Sequence, residues 1–329
     1  MPFHIPTINI APFLADPDSE AAAQVVADVR TACMTTGFFS LIGHNVPREL
    51  QQRLLAACAE LFALPLETKK SLRPPSGSTL MNRGYELIGA QVLQEGALPD
   101  LKEGFFIGQD IPYDDPRVKK HPLLMGENIF PGAAENFDEA TLREPAEEYY
   151  KAVLDLARAV LAILARGLPY GDDVFAEFMA NDPLCNLRLL HYPPQRSEDA
   201  RQLGAGAHTD FGAVTLLYQD GSGGLEVLDA ATGDWVAVAP NQDAYVVNVG
   251  DMLSLWTKNV YKSNVHRVIN RGTSDRYSVP FFFDGNLDTK LAPLDESAPL
   301  DGGEILTAEQ HMLKRLGKSY SQGQDAVAA

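Results

Sequence analysis

Residues Ala213–Leu228 read AVTLLYQDGSGGLEVL, and this stretch decides the fold class. Its apolar parts, Ala213–Tyr218 and Gly224–Leu228, flank a turn of aspartate, glycine and serine, which is typical of two β-strands joined by a short connection. The same alternation of apolar stretch and turn continues between residues 184 and 286, in Leu187–Tyr192, Trp235–Ala237, Ala244–Val249, Met252–Trp256, Val265–Asn270 and Tyr277–Phe283. Short strands at this regular spacing predict a sandwich or barrel, of which a double-stranded β-helix (jelly roll) fits best.

Helical periodicity dominates before residue 184. Apolar residues recur at helical spacing in Asp18–Thr35, in a segment that starts near Pro47, and in Glu144–Arg166. Gly37–Gly43 lies between the first two and has the pattern of a buried strand. The chain is therefore predicted to be a mixed α and β protein, with a jelly-roll core, flanking helices and an N-terminal helix-rich region.

The C-terminal part is predicted to add one helix. Thr307–Gln310 resembles a capping box that opens a helix ending at Gly317, and a tail follows over Gln322–Ala329. We divide the chain into an N-terminal region (1–183), a jelly-roll catalytic core (184–286) and a C-terminal helix and tail (287–329), all within one compact unit.

Composition limits the classes of partner. The 329 residues, 45% of them hydrophobic, suffice for one large domain or one domain with a substantial extension. Lys+Arg 27 against Asp+Glu 44 gives a formal net charge of −17, so we expect neither nucleic acid nor membrane as a partner. Cys33, Cys58 and Cys185 lie far apart in apolar surroundings, which predicts buried free thiols. With no export signal or long apolar run in view, these features favour a cytoplasmic protein.

His208-Thr209-Asp210 and His266 form the most informative set of side chains. Residues i and i+2 of a strand point to the same side, so His208 and Asp210 can bind one ion, and a later strand can bring His266 to them. Two histidines and a carboxylate on one face of a metal leave its other face open, which suits non-haem Fe(II) and oxygen chemistry. A lone HxD is a weak signal among seven histidines, but the ligand order and the residues that follow favour a metal site.

Arg276 and Ser278 follow His266 and share one face of a predicted strand. A guanidinium can grip a carboxylate with two parallel hydrogen bonds, and the serine hydroxyl can add a third, so the pair suits an acidic co-substrate. The alternative is an Arg276 that is paired with Asp275 or Asp284 at a strand edge. Tyr192 either contributes another hydroxyl to the same acid or is a core tyrosine.

The ordered set His208-x-Asp210, His266 and Arg276-x-Ser278 resembles that of the iron(II)- and 2-oxoglutarate-dependent dioxygenases, in the isopenicillin N synthase-like group. The likeness covers most of the chain, through Ile5–Asn9, Gly37–Phe39, His44–Pro47, Arg83–Tyr85, Asp100–Glu103, Tyr192–Pro194 and Gly223–Val227. Leu190 departs from the pattern, because asparagine often stands two residues before the tyrosine in that group. The plant-type members are therefore poor guides to the substrate, and bacterial or fungal relatives are better ones.

The resemblance implies an enzyme with Fe(II) on His208, Asp210 and His266. It implies 2-oxoglutarate as co-substrate, with its distal carboxylate held by Arg276 and Ser278, and O2 as oxidant. The expected reaction oxidises an unactivated C–H bond of a small molecule, by hydroxylation, desaturation or cyclisation, with release of succinate and CO2. The alternatives are an Fe(II) oxidase of the same fold that uses no 2-oxoglutarate, a Zn-dependent hydrolase, and a non-catalytic metal-binding protein.

Five further residues are candidates for contact with the substrate. Arg188 lies on the strand that enters the site, with a salt-bridged strand arginine as the alternative. Phe281 or Phe283 is expected to line the substrate cavity unless both pack in the core. Arg83 and Tyr85 are expected on a loop over the barrel mouth, with a surface turn as the alternative.

Overall fold

The computed structural model describes residues 3–75, 78–180, 182–299 and 302–327, and for 321–327 the backbone alone. The strands in this part of the chain are β1 (Thr7–Asn9), β2 (Phe38–Ile42), β3 (Gly84–Glu86), β4 (Glu103–Gly108), β5 (Leu184–Tyr192), β6 (Ala205–His208), β7 (Val214–Gln219), β8 (Leu225–Leu228), β9 (Trp235–Ala237), β10 (Tyr245–Val249), β11 (His266–Val268) and β12 (Arg276–Gly285). The α-helices are α1 (Ala11–Ala15), α2 (Glu20–Thr35), α3 (Arg48–Phe62), α4 (Leu66–Ser71), α5 (Pro116–Lys120), α6 (Glu139–Arg166), α7 (Ala176–Met179), α8 (Asp251–Trp256) and α9 (Ala308–Val327).

The strands form the two sheets of a jelly roll, which confirms the predicted fold class. The larger sheet has the order β1-β2-β10-β7-β12-β5-β4-β3, and the smaller has the order β6-β11-β8-β9. A small apolar cluster joins the two sheets, with Tyr192 and Val246 from the larger and Ala205 and Val227 from the smaller. The space between the sheets beside this cluster holds the candidate site.

The main hydrophobic core lies on the other side of the larger sheet, under the helices. It includes the buried faces of α2, α3 and α6 together with the residues of β5, β7 and β12 that point away from the smaller sheet. Burial of apolar surface on this scale is the main source of stability in a chain of this size. The helical layer therefore supports the sheet from behind and leaves its other face to the cavity.

The strand predicted over Met252–Trp256 is wrong, because Asp251–Trp256 forms helix α8. Leu253 is fully buried whereas Leu255 is 43% exposed, although the two would share one face of a strand. The backbone turns at Gly250, whose N–H donates to the Ala213 carbonyl, and the Asp251 N–H donates to the Asp210 carbonyl, each at 2.8 Å. These long-range hydrogen bonds favour the helix over continuation of the strand.

Two helices extend beyond their predicted bounds. Helix α6 begins at Glu139 rather than Glu144, after Asp138 accepts a hydrogen bond from Ala140 N at 3.2 Å. The capping box of α9 forms as predicted, with reciprocal bonds between Thr307 and Gln310 at 2.9 and 3.2 Å. The helix then continues through Gly317 to Val327, so the predicted stop at Gly317 and the tail from Gln322 are wrong for the residues described. A glycine at an exposed helical position costs only about 1 kcal/mol, which packing of the helix offsets.

Two further expectations concern the whole chain. Cys33, Cys58 and Cys185 are buried and free, as predicted. None of the described helices combines the length and apolar composition needed to cross a lipid bilayer.

Candidate metal and co-substrate site

His208, Asp210 and His266 meet at the open end of the smaller sheet. His208 ends β6 and pairs directly with His266 at the start of β11, while Asp210 follows β6 by two residues. Asp210 Oδ1 lies 3.7 Å from the Nε2 atoms of both histidines. Potential ligand atoms of the three residues lie within 4.8 Å of one another, so one metal ion can contact all three.

Hydrogen bonds present the correct nitrogen of each histidine to such an ion. His208 Nδ1 contacts the Gly206 carbonyl at 2.7 Å, and His266 Nδ1 contacts the Asn264 carbonyl at 3.2 Å. A carbonyl oxygen can only accept a hydrogen bond, so each ring carries its hydrogen on Nδ1 and leaves the Nε2 lone pair for a metal. Burial, reinforced by the neighbouring His266, lowers the pKa of His208 well below its usual value. The neutral imidazole that metal binding requires is thus the stable form.

Asp210 is held in the ionised form with one oxygen free. Its Oδ2 accepts hydrogen bonds from Thr215 Oγ at 2.6 Å and from Asn248 Nδ2 at 2.7 Å. Burial by itself would raise the pKa of Asp210, but the two histidines and these donors hold it below its usual value. Oδ1 therefore remains available to the ion. Sequence reasoning missed Thr215 and Asn248, although a lone polar residue within each apolar strand was a usable signal.

Arg276 is a buried guanidinium surrounded by neutral groups. It is 1% exposed, and it donates to Gly223 O at 2.6 Å, Gln219 Oε1 at 2.7 Å and Ser278 Oγ at 3.3 Å. The alternative pairing with Asp275 or Asp284 is wrong, since these carboxylates accept from His191 and Asn186 instead. A buried cation without a carboxylate partner among the described residues is costly unless a bound anion completes it.

The cavity around Arg276 also contains the metal cluster. It is lined by Arg276, Ser278, His208, Asp210 and His266, and by several apolar residues of both sheets. Tyr192 lines the same cavity, with its ring 4.7 Å from the Arg276 guanidinium carbon. Lys102, which sequence reasoning did not select, is another lining residue and is paired with the buried Asp100. An anion that contacts Arg276 would thus lie in the same cavity as the metal ligands.

A second cavity is also lined by residues of the metal cluster. It contains about 660 Å³ of space, counting the part open to solvent, and it shares His208, Asp210, Arg188 and Phe282 with the first cavity. The metal ligands His208 and Asp210 therefore border both the cavity around Arg276 and this larger cavity, which is the candidate substrate cavity.

The prediction that Phe281 or Phe283 lines the substrate cavity is wrong. Both are fully buried in the main core behind the sheet, whereas Phe282 lines both cavities. Arg276, Ser278 and Phe282 share one parity along β12, and side chains two residues apart share a face. The parity that placed Arg276 and Ser278 in the site should have selected Phe282.

Arg188 reaches the substrate cavity but is already paired. It lines the cavity from β5 and forms a buried ion pair with Glu86, which also accepts from Tyr320. The Glu86 carboxylate, acting against the cost of burial, raises the pKa of Arg188 above its usual value. Arg188 therefore combines the two alternatives, since it is a salt-bridged arginine in the cavity wall.

Arg83 and Tyr85 lie outside both cavities, so the expectation of a loop over the barrel mouth is wrong for them. Arg83 is 2% exposed and donates to Asn82 O at 2.8 Å and Gln109 O at 3.1 Å. The Tyr85 hydroxyl donates to the buried carboxylate of Glu103. Both side chains are buried structural groups, and neither is a surface turn residue.

Helix α9 fixes the loop that carries the metal ligands. Arg315 Nη2 donates to the carbonyl and to the hydroxyl of Thr209, both at 3.0 Å, and Arg315 Nη1 contacts Asp251 Oδ2 at 3.0 Å. Its guanidinium carbon also lies 4.5 Å from the centre of the Phe211 ring. One side chain of the C-terminal helix thus holds the residues on both sides of Asp210.

Replacing Arg315 by alanine is expected to weaken binding of the metal ion by about tenfold, because partners that orient metal ligands contribute about 10–100-fold to affinity. Arg315→Lys should retain part of the affinity, since a lysine can still reach one of the acceptors. Competition with a chromophoric chelator measures the change. The exposed neighbour Lys314 provides the control variant Lys314→Ala. An Arg315→Ala protein with unaltered affinity would show that α9 plays no part in positioning the ligands.

Profiles of two protein families match the chain. The family described as "non-haem dioxygenase in morphine synthesis N-terminal" matches residues 5–133, and the "2OG-Fe(II) oxygenase superfamily" matches residues 183–285. The second segment contains all the residues that the sequence placed in the metal and co-substrate site.

Known proteins resemble the chain along nearly all of its length. The "2-oxoglutarate-dependent dioxygenase citB" of Monascus ruber is 52% identical over 323 residues, covering 97% of this chain and 96% of that protein. The "Clavatol oxidase claD" of Penicillium crustosum is 46% identical over 332 residues, covering 97% of each. Among solved structures, full-length T7H of Neurospora crassa in complex with alpha-KG and thymine superimposes with a TM-score of 0.80 at 27% identity, covering 95% of this chain and 96% of that one.

Proposed function

The chain belongs to the 2-oxoglutarate- and iron(II)-dependent oxygenase superfamily, and we propose how its own residues carry out the reaction of that family. It is a dioxygenase that uses Fe(II), 2-oxoglutarate and O2 to oxidise a small molecule, as the sequence predicted. We assign the iron to His208, Asp210 and His266. We assign the distal carboxylate of 2-oxoglutarate to Arg276 and Ser278.

The environment of Arg276 is the observation that best supports the assignment of 2-oxoglutarate as the co-substrate. Within the described part of the chain its buried guanidinium has only neutral hydrogen-bond acceptors, and it lines the same cavity as the metal cluster. A dicarboxylate with one end at the metal and the other at Arg276 compensates this charge. Neither a hydrolytic zinc centre nor a non-catalytic metal site accounts for a buried cation in this position.

The residues of the chain bind, orient and shield the reactants. When bound, iron(II) supplies the activation of O2, which couples oxidation of a substrate C–H bond to decarboxylation of 2-oxoglutarate to succinate and CO2. His208, Asp210 and His266 would hold the ion as two histidines and a carboxylate, a ligand set that suits iron chemistry with open coordination positions. Arg276 and Ser278 fix the co-substrate by its far end, so that its reactive end has one orientation.

Phe282 stands where the two cavities meet. Its side chain lines both of them next to the metal ligands, so it limits the space through which water could enter the reacting centre. Substrate shape within the larger cavity then determines which C–H bond is presented. The outcome, whether hydroxylation, desaturation or cyclisation, follows from that placement.

Stoichiometry tests the proposal against an oxidase of the same fold. With Fe(II), O2 and 2-oxoglutarate but no further substrate, we expect slow succinate formation, and without 2-oxoglutarate we expect no oxygen uptake. Mixing Fe(II) with 2-oxoglutarate in the absence of air should give a weak visible charge-transfer band. Oxygen consumption that is independent of 2-oxoglutarate, or full activity with zinc in place of iron, would contradict the proposal.

We also infer that the enzyme works on a diffusible small molecule in the cytoplasm. Its three cysteines are buried free thiols, which suits a reducing compartment. Neurospora crassa T7H was solved with thymine, which illustrates the size of molecule that this fold accepts.

A further inference from the structure

One wall of the substrate cavity is polar, although most of the cavity is apolar. Phe106, Phe282, Leu124 and Met312 are among the apolar lining residues. The polar wall consists of Asn82, Asn186 and Asp284, from the loop before β3, from β5 and from β12. Sequence reasoning selected none of these three residues as a contact for the substrate.

The hydrogen bonds of this wall fix the orientation of both amides. Arg83 Nη1 can only donate, and it lies 3.4 Å from Asn186 Oδ1, while Asn186 Nδ2 donates to Asp284 Oδ2 at 3.0 Å. Asn82 must then present its Nδ2 to Asn186 Oδ1, at 2.8 Å. Asn82 Oδ1 is left as a buried acceptor without a partner in the described part of the chain. Each unmatched buried acceptor of this kind is destabilising unless a bound group completes it.

Asp284 is a carboxyl group without a cationic partner in this wall. It is 1% exposed, and among the described side chains the neutral amide of Asn186 donates to it. Arg188, the cation in the same cavity, is paired with Glu86. A Cβ at position 212 would lie 2.2 Å from Asp284 Oδ1, so any side chain there would collide with Asp284. Gly212 therefore allows the carboxyl to approach the loop after Asp210. Burial raises the pKa of Asp284 to about 7.

We propose that the substrate cavity recognises a small, mainly apolar molecule by an O–H or N–H group that donates to Asp284, with Asn82 as a second acceptor. The aromatic side chains favour a flat skeleton, because rings stack on or meet the edges of other rings. Above the pKa of Asp284 a carboxylate is disfavoured, because its negative charge would meet that of Asp284, and Arg188 is already paired with Glu86. This inference rests on the proposed function, since it concerns the substrate of the same site.

Four probes with one skeleton test the proposal: 4-methylphenol, 4-methylaniline, 4-methylanisole and 4-methylbenzoate. Binding is measured through the change in the visible band of the anaerobic enzyme with Fe(II) and 2-oxoglutarate. The phenol and the aniline are expected to bind at least about tenfold more tightly than the methyl ether, and the benzoate most weakly. Equal affinity for the phenol and its ether, or binding of none of the four probes at millimolar concentration, would overturn the proposal.

Variants at position 284 separate recognition from folding. Asp284→Leu should bring the phenol and the ether to within about twofold of each other, through loss of affinity for the phenol alone. Asp284→Asn keeps the shape and an acceptor, so it should retain the preference for the phenol and bind the benzoate more tightly. Asp288→Asn, at an exposed carboxylate that pairs with Lys120, is the matched control and should behave as the unaltered enzyme.

The two proposals fail in different ways. If the enzyme gives neither the visible band nor succinate with Fe(II) and 2-oxoglutarate, the proposed function itself is wrong. If both appear but Asp284→Leu keeps the preference for the phenol, the function stands and the recognition by Asp284 is wrong.

Discussion

Replacing His208 by alanine is expected to abolish succinate formation and to lower iron(II) affinity by more than about a hundredfold. Changes to outer partners of metal ligands already cost about 10–100-fold, and this change removes a ligand outright. Asp210 Oδ1 and His266 Nε2, which lie 3.7 Å apart, would remain as the two ligands of an incomplete site. Iron content after dialysis and 2-oxoglutarate turnover without further substrate are the two measurements.

Asp210→Asn distinguishes charge from shape at the same centre. The amide can still contact Thr215 and Asn248, which now bond to Oδ2, but it supplies no negative charge to the ion. We expect iron binding to fall nearly as far as in His208→Ala, while the thermal stability of the metal-free protein changes little. His4→Ala removes an exposed histidine and serves as the control. If His208→Ala retained iron and turnover, the ligand assignment would have to be abandoned.

The sequence predicted the site more completely on its strands than elsewhere. The sequence predicted that five residues would converge there, because strand parity and strand order can be read from the spacing of residues. They are His208, Asp210, His266, Arg276 and Ser278. The prediction for the aromatic run of β12 did not follow this alternation. Phe282 and Asp284 face the cavities, whereas Phe281 and Phe283 face the core.

Other parts of the site depend on contacts between distant segments. Asn82 and Tyr320 reach the substrate cavity from a loop and from α9, and no local pattern marks either residue. The helix Asp251–Trp256 is another case, because its apolar run fits a strand until Gly250 and Asp251 hydrogen-bond to the loop of Asp210. Tertiary packing overrides local preference at such positions.

Replacing Arg276 by methionine is expected to raise the KM for 2-oxoglutarate by about a hundredfold or more while iron remains bound. Removing one partner of a buried charge pair costs about 3–5 kcal/mol, and every 1.4 kcal/mol corresponds to tenfold in affinity. Methionine fills a similar space beside Tyr192, so the packing of that ring is largely retained. Arg276→Lys should recover part of the affinity, because an ammonium restores the charge without the planar fork. Steady-state kinetics in 2-oxoglutarate and iron titration measure the two effects separately.

A change of co-substrate, combined with the change of Arg276, isolates the contact between the guanidinium and the distal carboxylate. The compound 2-oxopentanoate has the same chain length as 2-oxoglutarate but lacks the distal carboxylate, so it should bind the unaltered enzyme weakly and lose little more in Arg276→Met. The difference between the two losses is the coupling between guanidinium and carboxylate, free of general damage to the site. Arg271→Met, at an exposed arginine before the same strand, should leave both affinities unchanged. Equal losses for the two co-substrates in Arg276→Met would mean that Arg276 supports the cavity without contacting the carboxylate, and the distal end of 2-oxoglutarate would have to bind elsewhere.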